Sequence, residues 1–314
     1  MYEPLFVLSI LFTIGAAAYL SNKASEMKSE KEGFAGGFNK STLWFVIDDY
    51  GVNSRRWVDF GARSSRDINI GLLNITKTRC AITQGADFNV RELFGRAAVA
   101  QAVRENGGYV PDRHLEVPPY LWRAWSRAAL LGNAGGLYLD GFSLCLGGSF
   151  AKVTSGAENL LFGLDSNPLS AGNHCGWASK SRSLPWLSYL EAVTNFIEKG
   201  PLSWDSAKAR NQVASWNAAI LAPSVKLLVE PEWSRLANGT QIEIEDLFGN
   251  SLTDLYTPGP NVLYVPVDSE RLMRTVSYNW VLRMSSEQLM DPESYFIWAQ
   301  LAQRVAKRDS LLIK

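Results

Sequence analysis

Residues 130 to 140 read LLGNAGGLYLD, and this is the most informative segment of the chain for predicting its fold. An apolar segment leads into Gly135 and Gly136, after which the short apolar run Leu137 to Leu139 ends on Asp140. Adjacent glycines allow the backbone to leave a helix through positive φ and to approach a neighbouring segment closely. The pattern predicts a helix, a glycine turn and a buried strand. Because open α/β sheets bind ligands at the carboxyl ends of their strands, we expect Asp140 to face a binding crevice.

Apolar patterns elsewhere in the chain alternate between strand and helix. Strands are predicted at residues 43–47, 160–164, 225–229 and 262–267. Helices are predicted at residues 90–106, from Pro118 to the glycine pair, at 186–197, and from Asp291, as the N-cap, towards the end of the chain. Strands separated by helices predict an α/β fold, with a mostly parallel sheet flanked by helices on both faces.

Composition and charge narrow the class of protein. The chain has 314 residues, 46% of them apolar and 20% charged, which suits one globular α/β domain. Its 31 basic and 31 acidic residues balance. Nucleic-acid-binding surfaces are usually basic, so nucleic acid is excluded as a partner.

The N-terminal segment predicts a membrane anchor. Residues 4–20 form an uncharged apolar run that is just long enough to cross a bilayer as a helix. We therefore divide the chain into a transmembrane anchor at residues 1–22, a polar linker at 23–41 and a globular domain at 42–314. Lysines follow the apolar run and none precedes it, so the positive-inside rule predicts a single-pass membrane protein with a cytoplasmic body.

Two alternatives to this topology stay open. Ala16 to Ala18 resemble a signal-peptide cleavage site, although no basic residue precedes the apolar run. Sequons at Asn39, Asn74 and Asn238 would be usable in the lumen of the Golgi or the endoplasmic reticulum. Against the lumen, the chain has three cysteines, an odd number for a disulfide framework, and they lack metal-ligand spacing. A reducing compartment is the simpler interpretation.

The same central stretch resembles a known family. Arg127, Gly135, Gly136, Tyr138 and Asp140 are similar to the block Asp-x-x-Arg, Gly-Gly, aromatic, Asp-x-Asp. This block belongs to the DxD sugar transferases related to glycosyltransferase family 32 and the capsular polysaccharide synthesis proteins. The match covers residues 118–150 most clearly, with fainter similarity to residue 285.

Two carboxylates of the family block are replaced in this chain. Ala124 stands where the family has the Asp of Asp-x-x-Arg, and Phe142 stands in place of the second Asp of DxD. In the family these groups hold sugar hydroxyls and a divalent metal. Their replacement affects the expected activity more than the expected fold.

The resemblance implies a GT-A fold and a glycosyltransferase that takes a nucleotide-sugar donor and retains anomeric configuration. The acceptor would be a glycan, a glycolipid or a glycoprotein. Asp140 would be the catalytic carboxylate and a ligand of Mg²⁺ or Mn²⁺, with Arg127, Gly135, Gly136 and Tyr138 binding the donor.

Downstream residues extend the resemblance. Asn279 stands where the family often has a metal-binding His. Gly200 and Pro201, followed by Trp204, resemble a turn that lies near the donor and acceptor pocket of the family.

Residues after the first predicted strand supply further candidates. Asp48 and Asp49 end that strand, where a nucleotide-binding sheet would meet its ligand. Arg55 follows with Arg56, and an arginine pair can hold a diphosphate through bidentate hydrogen bonds. Asp48 and Arg55 are therefore candidate donor-binding residues. A surface turn and solvated arginines are the structural alternative for these positions.

Other functions remain possible at this point. A relative without catalytic activity could bind a glycan or a nucleotide as a membrane-tethered scaffold. A hydrolase would need a second carboxylate opposite Asp140, and the sequence offers no paired motif for it. His174 and Cys175 could suggest a thiol nucleophile, but neighbouring side chains point apart, and a buried pair is the favoured interpretation.

Overall fold

The computed structural model describes residues 40–49, 71–163, 174–200, 204–229, 244–248, 263–267, 272, 277, 279–294 and 297–312. The predicted anchor, almost all of the linker, and Arg55 lie outside these ranges. Within them, no helix has the length and apolar character needed to cross a membrane.

The described chain alternates strands and helices, as predicted. The strands are β1 (Thr42–Ile47), β2 (Asn89–Phe94), β3 (Gly136–Asp140), β4 (Leu144–Cys145), β5 (Asn159–Gly163), β6 (Cys175–Ala178), β7 (Lys226–Val229) and β8 (Tyr264–Val265). The helices are α1 (Gly71–Gln84), α2 (Gly95–Glu105), α3 (Pro119–Asn133), α4 (Ala151–Thr154), α5 (Leu184–Lys199), α6 (Ser206–Trp216), α7 (Ile244–Phe248), α8 (Ser286–Leu289) and α9 (Ile297–Leu312). Short 3₁₀ helices cover Asp112–Leu115 and Asn279–Arg283, and a π-helical turn, Asn217–Leu221, extends α6.

Six strands form one mixed sheet in the order β2-β1-β3-β6-β5-β7. The pairs β1–β2, β1–β3 and β5–β7 are parallel, whereas β6 runs antiparallel between β3 and β5. The predicted α/β class is therefore confirmed, and the sheet is mixed at its centre. β4 and β8 form a separate two-stranded antiparallel sheet.

Two apolar cores cover the two faces of the sheet. Leu43, Phe45 and Ile47 of β1 pack into the core that contains α1 and α9. Trp44 and Val46 point to the opposite core, which contains α2, α3, α5 and α6. This alternation follows from the period of two in a strand, and it places helices on both faces as predicted.

The glycine pair makes the predicted turn between α3 and β3. Gly135 has a φ of 74° and Gly136 a φ of 94°, a region that favours glycine. A Cβ on Gly136 would collide with the carbonyl oxygen of Thr42, and Trp44 Nε1 donates to the carbonyl of Gly135 at 2.8 Å. Both glycines are therefore needed to bring β3 alongside β1.

One predicted helix is partly wrong. Residues 90–94 were expected to begin a helix, but they form β2, and the helix starts at Gly95. β2 pairs with β1 from Asn89 to Phe94, and Gly95, with a φ of 84°, turns the chain into α2. The pairing outweighs a local pattern that fits either structure.

The last helix also begins later than predicted. Asp291 does not cap it: the Oδ1 atom of Asp291 accepts a hydrogen bond from the backbone N–H of Glu293 at 2.9 Å. The carbonyl of Asp291 accepts from Ser294 N–H at 2.9 Å, which closes a turn. Asp side chains stabilise such turns, and α9 starts at Ile297.

Candidate functional site

Asp140 lies at the carboxyl end of β3, as predicted. Val46 of β1 lies beside it, and Ile47 pairs with Phe94 of β2, so three parallel strands end at one edge of the sheet. We call this the carboxyl edge. The backbone N–H of Asp140 donates to the carbonyl of His174 at 2.7 Å, which joins the start of β6 to the same edge.

The Asp140 side chain closes a tight turn. Its Oδ1 atom accepts a hydrogen bond from the backbone N–H of Phe142 at 2.9 Å, and its carbonyl accepts from Ser143 N–H at 2.9 Å. The strand ends here, and Phe142 packs into the core on the α1 face. Phe142, which replaces the second family carboxylate, is thus a core residue.

Arg123 is the charged neighbour of Asp140. Its Nη1 atom lies 3.6 Å from Oδ2 of Asp140, and the two side chains are 2% and 5% exposed. The sequence interpretation missed Arg123. It and Arg127 are four residues apart on a helix whose other residues are mostly apolar, and buried arginines need a partner.

Burial has the largest effect on the pKa of Asp140. Loss of solvation raises the pKa of its carboxyl group above the ordinary value, and the positive charge of Arg123 opposes this effect, as does His174. The nearby carboxylate of Asp48 raises the pKa further. The neutral form is therefore favoured more strongly here than in water.

Asp48 is held by a second arginine that the sequence interpretation also missed. Arg96 Nε donates to Oδ1 of Asp48 at 2.9 Å and Nη2 to Oδ2 at 3.1 Å, a bidentate pair. Nη1 of Arg96 donates to the carbonyls of Leu115 and Val117 at 3.0 and 2.8 Å. The guanidinium carbon lies 5.1 Å from the centre of the Trp122 ring. Arg96 thus ties the end of β1 to the loop before α3.

Asp49 has a structural role beside this pair. Its Oδ1 atom accepts from the backbone N–H of Arg96 at 3.1 Å, in the first turn of α2. A carboxylate at this place satisfies an unpaired helix N–H and complements the helix dipole.

Arg127 and Tyr138 lie in the core on the α3 side of the sheet. The Arg127 guanidinium carbon is 5.3 Å from the Trp186 ring centre and 6.0 Å from that of Tyr189. The Tyr138 hydroxyl lies 3.2 Å from Ser126 Oγ, and burial raises the pKa of Tyr138 well above its ordinary value. Both side chains are fully buried, so a donor would reach them only if the core opened.

The remaining predicted residues are spread more widely. Gly136 is the first residue of β3, about 13 Å from Asp140 by the rise of a strand, and Gly135 directly precedes it. Asn279 begins a 3₁₀ helix, but its side chain lies outside the described residues, as does all of Arg55. The structure thus brings together Asp140 and Asp48, and the donor-binding and metal-binding roles of the other residues stay predictions.

The described residues at the carboxyl edge do not fit a divalent cation. Asp140 is paired with Arg123, and both oxygens of Asp48 accept from Arg96. Across the described residues, no group of three or more His, Cys, Asp or Glu side chains could hold a metal ion. The cysteines are buried free thiols, and burial raises the pKa of Cys175. Of the pair expected to be buried, Cys175 is fully buried, whereas His174 is only half-buried.

A cavity of about 810 Å³ lies where α5 gives way to α6. It is lined by Phe196, Trp204, Asp205, Lys208, Ala209, Asn211 and Gln212. Arg113 lies over the Trp204 ring at 5.5 Å and donates to the Gly200 carbonyl at 2.9 Å. Arg113 belongs to the same loop that Arg96 binds, so this loop connects the cavity with the carboxyl edge.

A second cavity, of about 430 Å³, opens at the opposite end of the sheet. Its lining includes Ser41, Asp87, Glu158 and Ser179, which flank the amino ends of β1, β2 and β5 and the carboxyl end of the antiparallel β6. It is therefore remote from Asp140.

No family model, no curated protein and no solved structure matches the chain. The function has to be inferred from the residues and their geometry.

Proposed function

We propose that the protein is a membrane-anchored glycosyltransferase with a GT-A-like domain, which takes a nucleotide-sugar donor and retains anomeric configuration. The observation that carries the proposal is the position of Asp140, at the carboxyl end of a central strand with Asp48 at the end of its neighbour. Ligands of open α/β sheets bind at such an edge. The resemblance of the segment around Arg127, Gly135, Gly136 and Asp140 to the DxD sugar transferases supports the same function.

The cavity beside Trp204 supports an acceptor site. Its lining combines two aromatic rings with carboxylate, amine and amide groups, which suit a hydroxyl-rich ligand such as a glycan. The family resemblance also associates the turn before Trp204 with the donor and acceptor pocket. We propose that a glycan acceptor, free or attached to lipid or protein, enters here.

In this proposal Asp140 faces the sugar of the donor, and arginines at the edge balance the charge that develops on the leaving diphosphate. Arg96 and Arg123 are the described candidates for that charge, and Arg55 remains a predicted one. Asp140 is only 3% exposed, so donor binding has to open the edge around the turn at Gly141 and Phe142. Catalytic groups often reach their productive geometry only in the bound complex.

A membrane-tethered scaffold without catalysis is the second candidate. The buried ion pair between Arg123 and Asp140 favours it, because a carboxylate engaged in this way serves the fold without any chemistry. Under this alternative the domain binds a nucleotide or a glycan but does not convert it to a product.

The experiment that separates the two uses the full-length chain in detergent. Binding and hydrolysis of UDP- and GDP-sugars are measured together, first without acceptor and then with an oligosaccharide mixture. A transferase releases nucleoside diphosphate slowly by hydrolysis of the donor when no acceptor is present, and faster by transfer of the sugar when an acceptor is added. Binding without hydrolysis under all conditions would support the scaffold, and the absence of both would reject the nucleotide-sugar proposal.

A further inference from the structure

Arginine side chains already neutralise both carboxylates that a cation at the carboxyl edge would use. Arg123 Nη1 lies 3.6 Å from Oδ2 of Asp140, and Arg96 forms two hydrogen bonds with Asp48 at 2.9 and 3.1 Å. All four side chains are at least nine-tenths buried. The pairs come from different helices, α2 and α3, so each is a separate feature of the fold.

A cation would have to displace at least one of these arginines. Mg²⁺ and Mn²⁺ bind carboxylate oxygens directly, and a guanidinium at the same oxygens would repel the metal. Arg96 is fixed further by the carbonyls of Leu115 and Val117 and by the Trp122 ring. Displacement would leave a buried arginine without its counter-charge, which is costly.

The Asp140 carboxylate has little capacity left for a metal. Oδ1 accepts the Phe142 N–H that ends the strand, and Oδ2 faces Arg123. The second carboxylate of DxD is absent because position 142 is a phenylalanine buried in the core. No third acidic or histidine ligand joins Asp140 and Asp48 among the described residues.

We propose that Arg123 occupies the place beside Asp140 that a divalent cation would take, so that Asp140 ligates no metal and the donor binds without one. The part of this inference that concerns the donor rests on the proposed function. The part that concerns the metal rests on the Arg123–Asp140 pair. It departs from the metal dependence that the family resemblance implies. The positive groups beside the two carboxylates are then Arg96 and Arg123 instead of a metal ion.

The metal statement is tested with the full-length protein and Mn²⁺ alone. Bound Mn²⁺ is measured by the relaxation of water protons for the parent, Asp140→Asn and, as a control, Asp291→Asn. Asp291 is exposed and makes the same bond to a backbone N–H two residues on, at 2.9 Å. We expect Mn²⁺ affinities within threefold of one another. A more than threefold loss confined to Asp140→Asn would overturn the inference.

Removal of the arginine supplies the converse test. In Arg123→Gln the place beside Asp140 becomes vacant, and we expect Mn²⁺ affinity to rise more than threefold and to fall again when Asp140→Asn is added. No rise in a folded Arg123→Gln protein would show that Arg123 does not keep the metal out. If Arg123→Gln does not fold, the Asp140→Asn comparison decides.

Nucleotide binding completes the test. Dissociation constants of UDP and GDP are measured in EDTA and in Mn²⁺, and we expect them to agree within threefold. A larger dependence on Mn²⁺ would overturn the inference while leaving the proposed function intact. If neither nucleotide binds, the proposed function fails, and the Mn²⁺ measurement still decides whether Asp140 binds metal.

Discussion

At the scale of single residues, Asp140 combines a structural role with a proposed catalytic one. It ends β3 by accepting the Phe142 N–H, and it pairs with Arg123 inside the protein. Burial raises its pKa in the folded state. Relative to the unfolded chain, the protonated carboxyl group is therefore favoured by folding, and its contribution to stability is complete below about pH 4 and lost as the pH rises through the raised value.

The direction of this pKa shift gives a prediction for Asp140→Asn, because an asparagine resembles the protonated carboxyl group in shape and charge. The free energy of unfolding of the variant, relative to that of the parent, should increase from pH 4 to pH 8. Urea unfolding at several pH values measures the difference. For the control Asp291→Asn we expect only a small difference in stability, because solvent screens an exposed carboxylate. A parent that gains stability over Asp140→Asn at higher pH would contradict the assignment of burial as the main cause.

Arg127 allows a second prediction at this scale. Its guanidinium lies against Trp186 and Tyr189 in the core, and a lysine keeps the charge but loses the flat surface. We expect Arg127→Lys to lower the free energy of unfolding by about 1 to 2 kcal/mol. Arg210→Lys is the matched control, since Arg210 lies over Tyr120 at 5.4 Å in a partly exposed position, and should cost about 0.5 kcal/mol. Equal losses would mean that burial adds nothing to the Arg127 interaction.

At the scale of elements, the glycine turn between α3 and β3 determines where Asp140 lies. Gly136 combines a positive φ with a close approach to the Thr42 carbonyl at the start of β1. Any side chain there would push β3 away from β1 and move the carboxyl edge. The turn thus acts on the proposed site through the fold, across the length of one strand.

Gly136→Ala should therefore destabilise the protein by more than about 3 kcal/mol, because backbone strain and a steric clash add. Gly156→Ala separates the two causes: Gly156 has a φ of 76°, but nothing lies within 4 Å of a Cβ built there. We expect it to cost about 1 kcal/mol. Thermal and urea unfolding compare the two variants. A Gly136→Ala protein as stable as Gly156→Ala would show that the close approach to Thr42 is unimportant.

Across the whole molecule, the features that the sequence predicted correctly are those that depend on the local pattern of residues. The glycine turn, the buried strand after it and the carboxylate at its end follow from the order of residues 130–140. The arginine partners could not be predicted in this way. Arg96 meets Asp48 only because α2 starts at the edge where β1 ends, and Arg123 meets Asp140 only because α3 begins near the same edge. Such pairings depend on packing between segments distant in sequence.

This dependence on packing between distant segments also explains why the type of one secondary-structure element and the direction of one strand were not predicted correctly. Residues 90–94 fit a helix or a strand locally, and pairing with β1 decided for the strand. The antiparallel β6 at the centre of the sheet has no signal in its four residues, CGWA.

The orientation of the chain in the membrane is a further prediction at this scale. We propose that residues 4–22 form one uncleaved membrane helix that anchors the protein with its body in the cytoplasm. Asn74 lies exposed on α1, and Asn238 is a second sequon. In cells that glycosylate luminal sequons, we expect both to stay unmodified, which a mobility shift after glycosidase treatment would test. Glycans on either residue would place the body in the Golgi or endoplasmic reticulum lumen.

The catalytic role of Asp140 is tested by the rate of sugar transfer in Asp140→Asn. Donor turnover by the full-length protein is compared with that of the parent and of Asp291→Asn, after circular dichroism has shown that all three are folded. If Asp140 is the catalytic carboxylate of a glycosyltransferase, Asp140→Asn lowers the rate at least about a hundredfold, and Asp291→Asn leaves it unchanged. Transfer by Asp140→Asn at the parent rate would rule out a catalytic role for Asp140 and leave it as the residue that ends a strand.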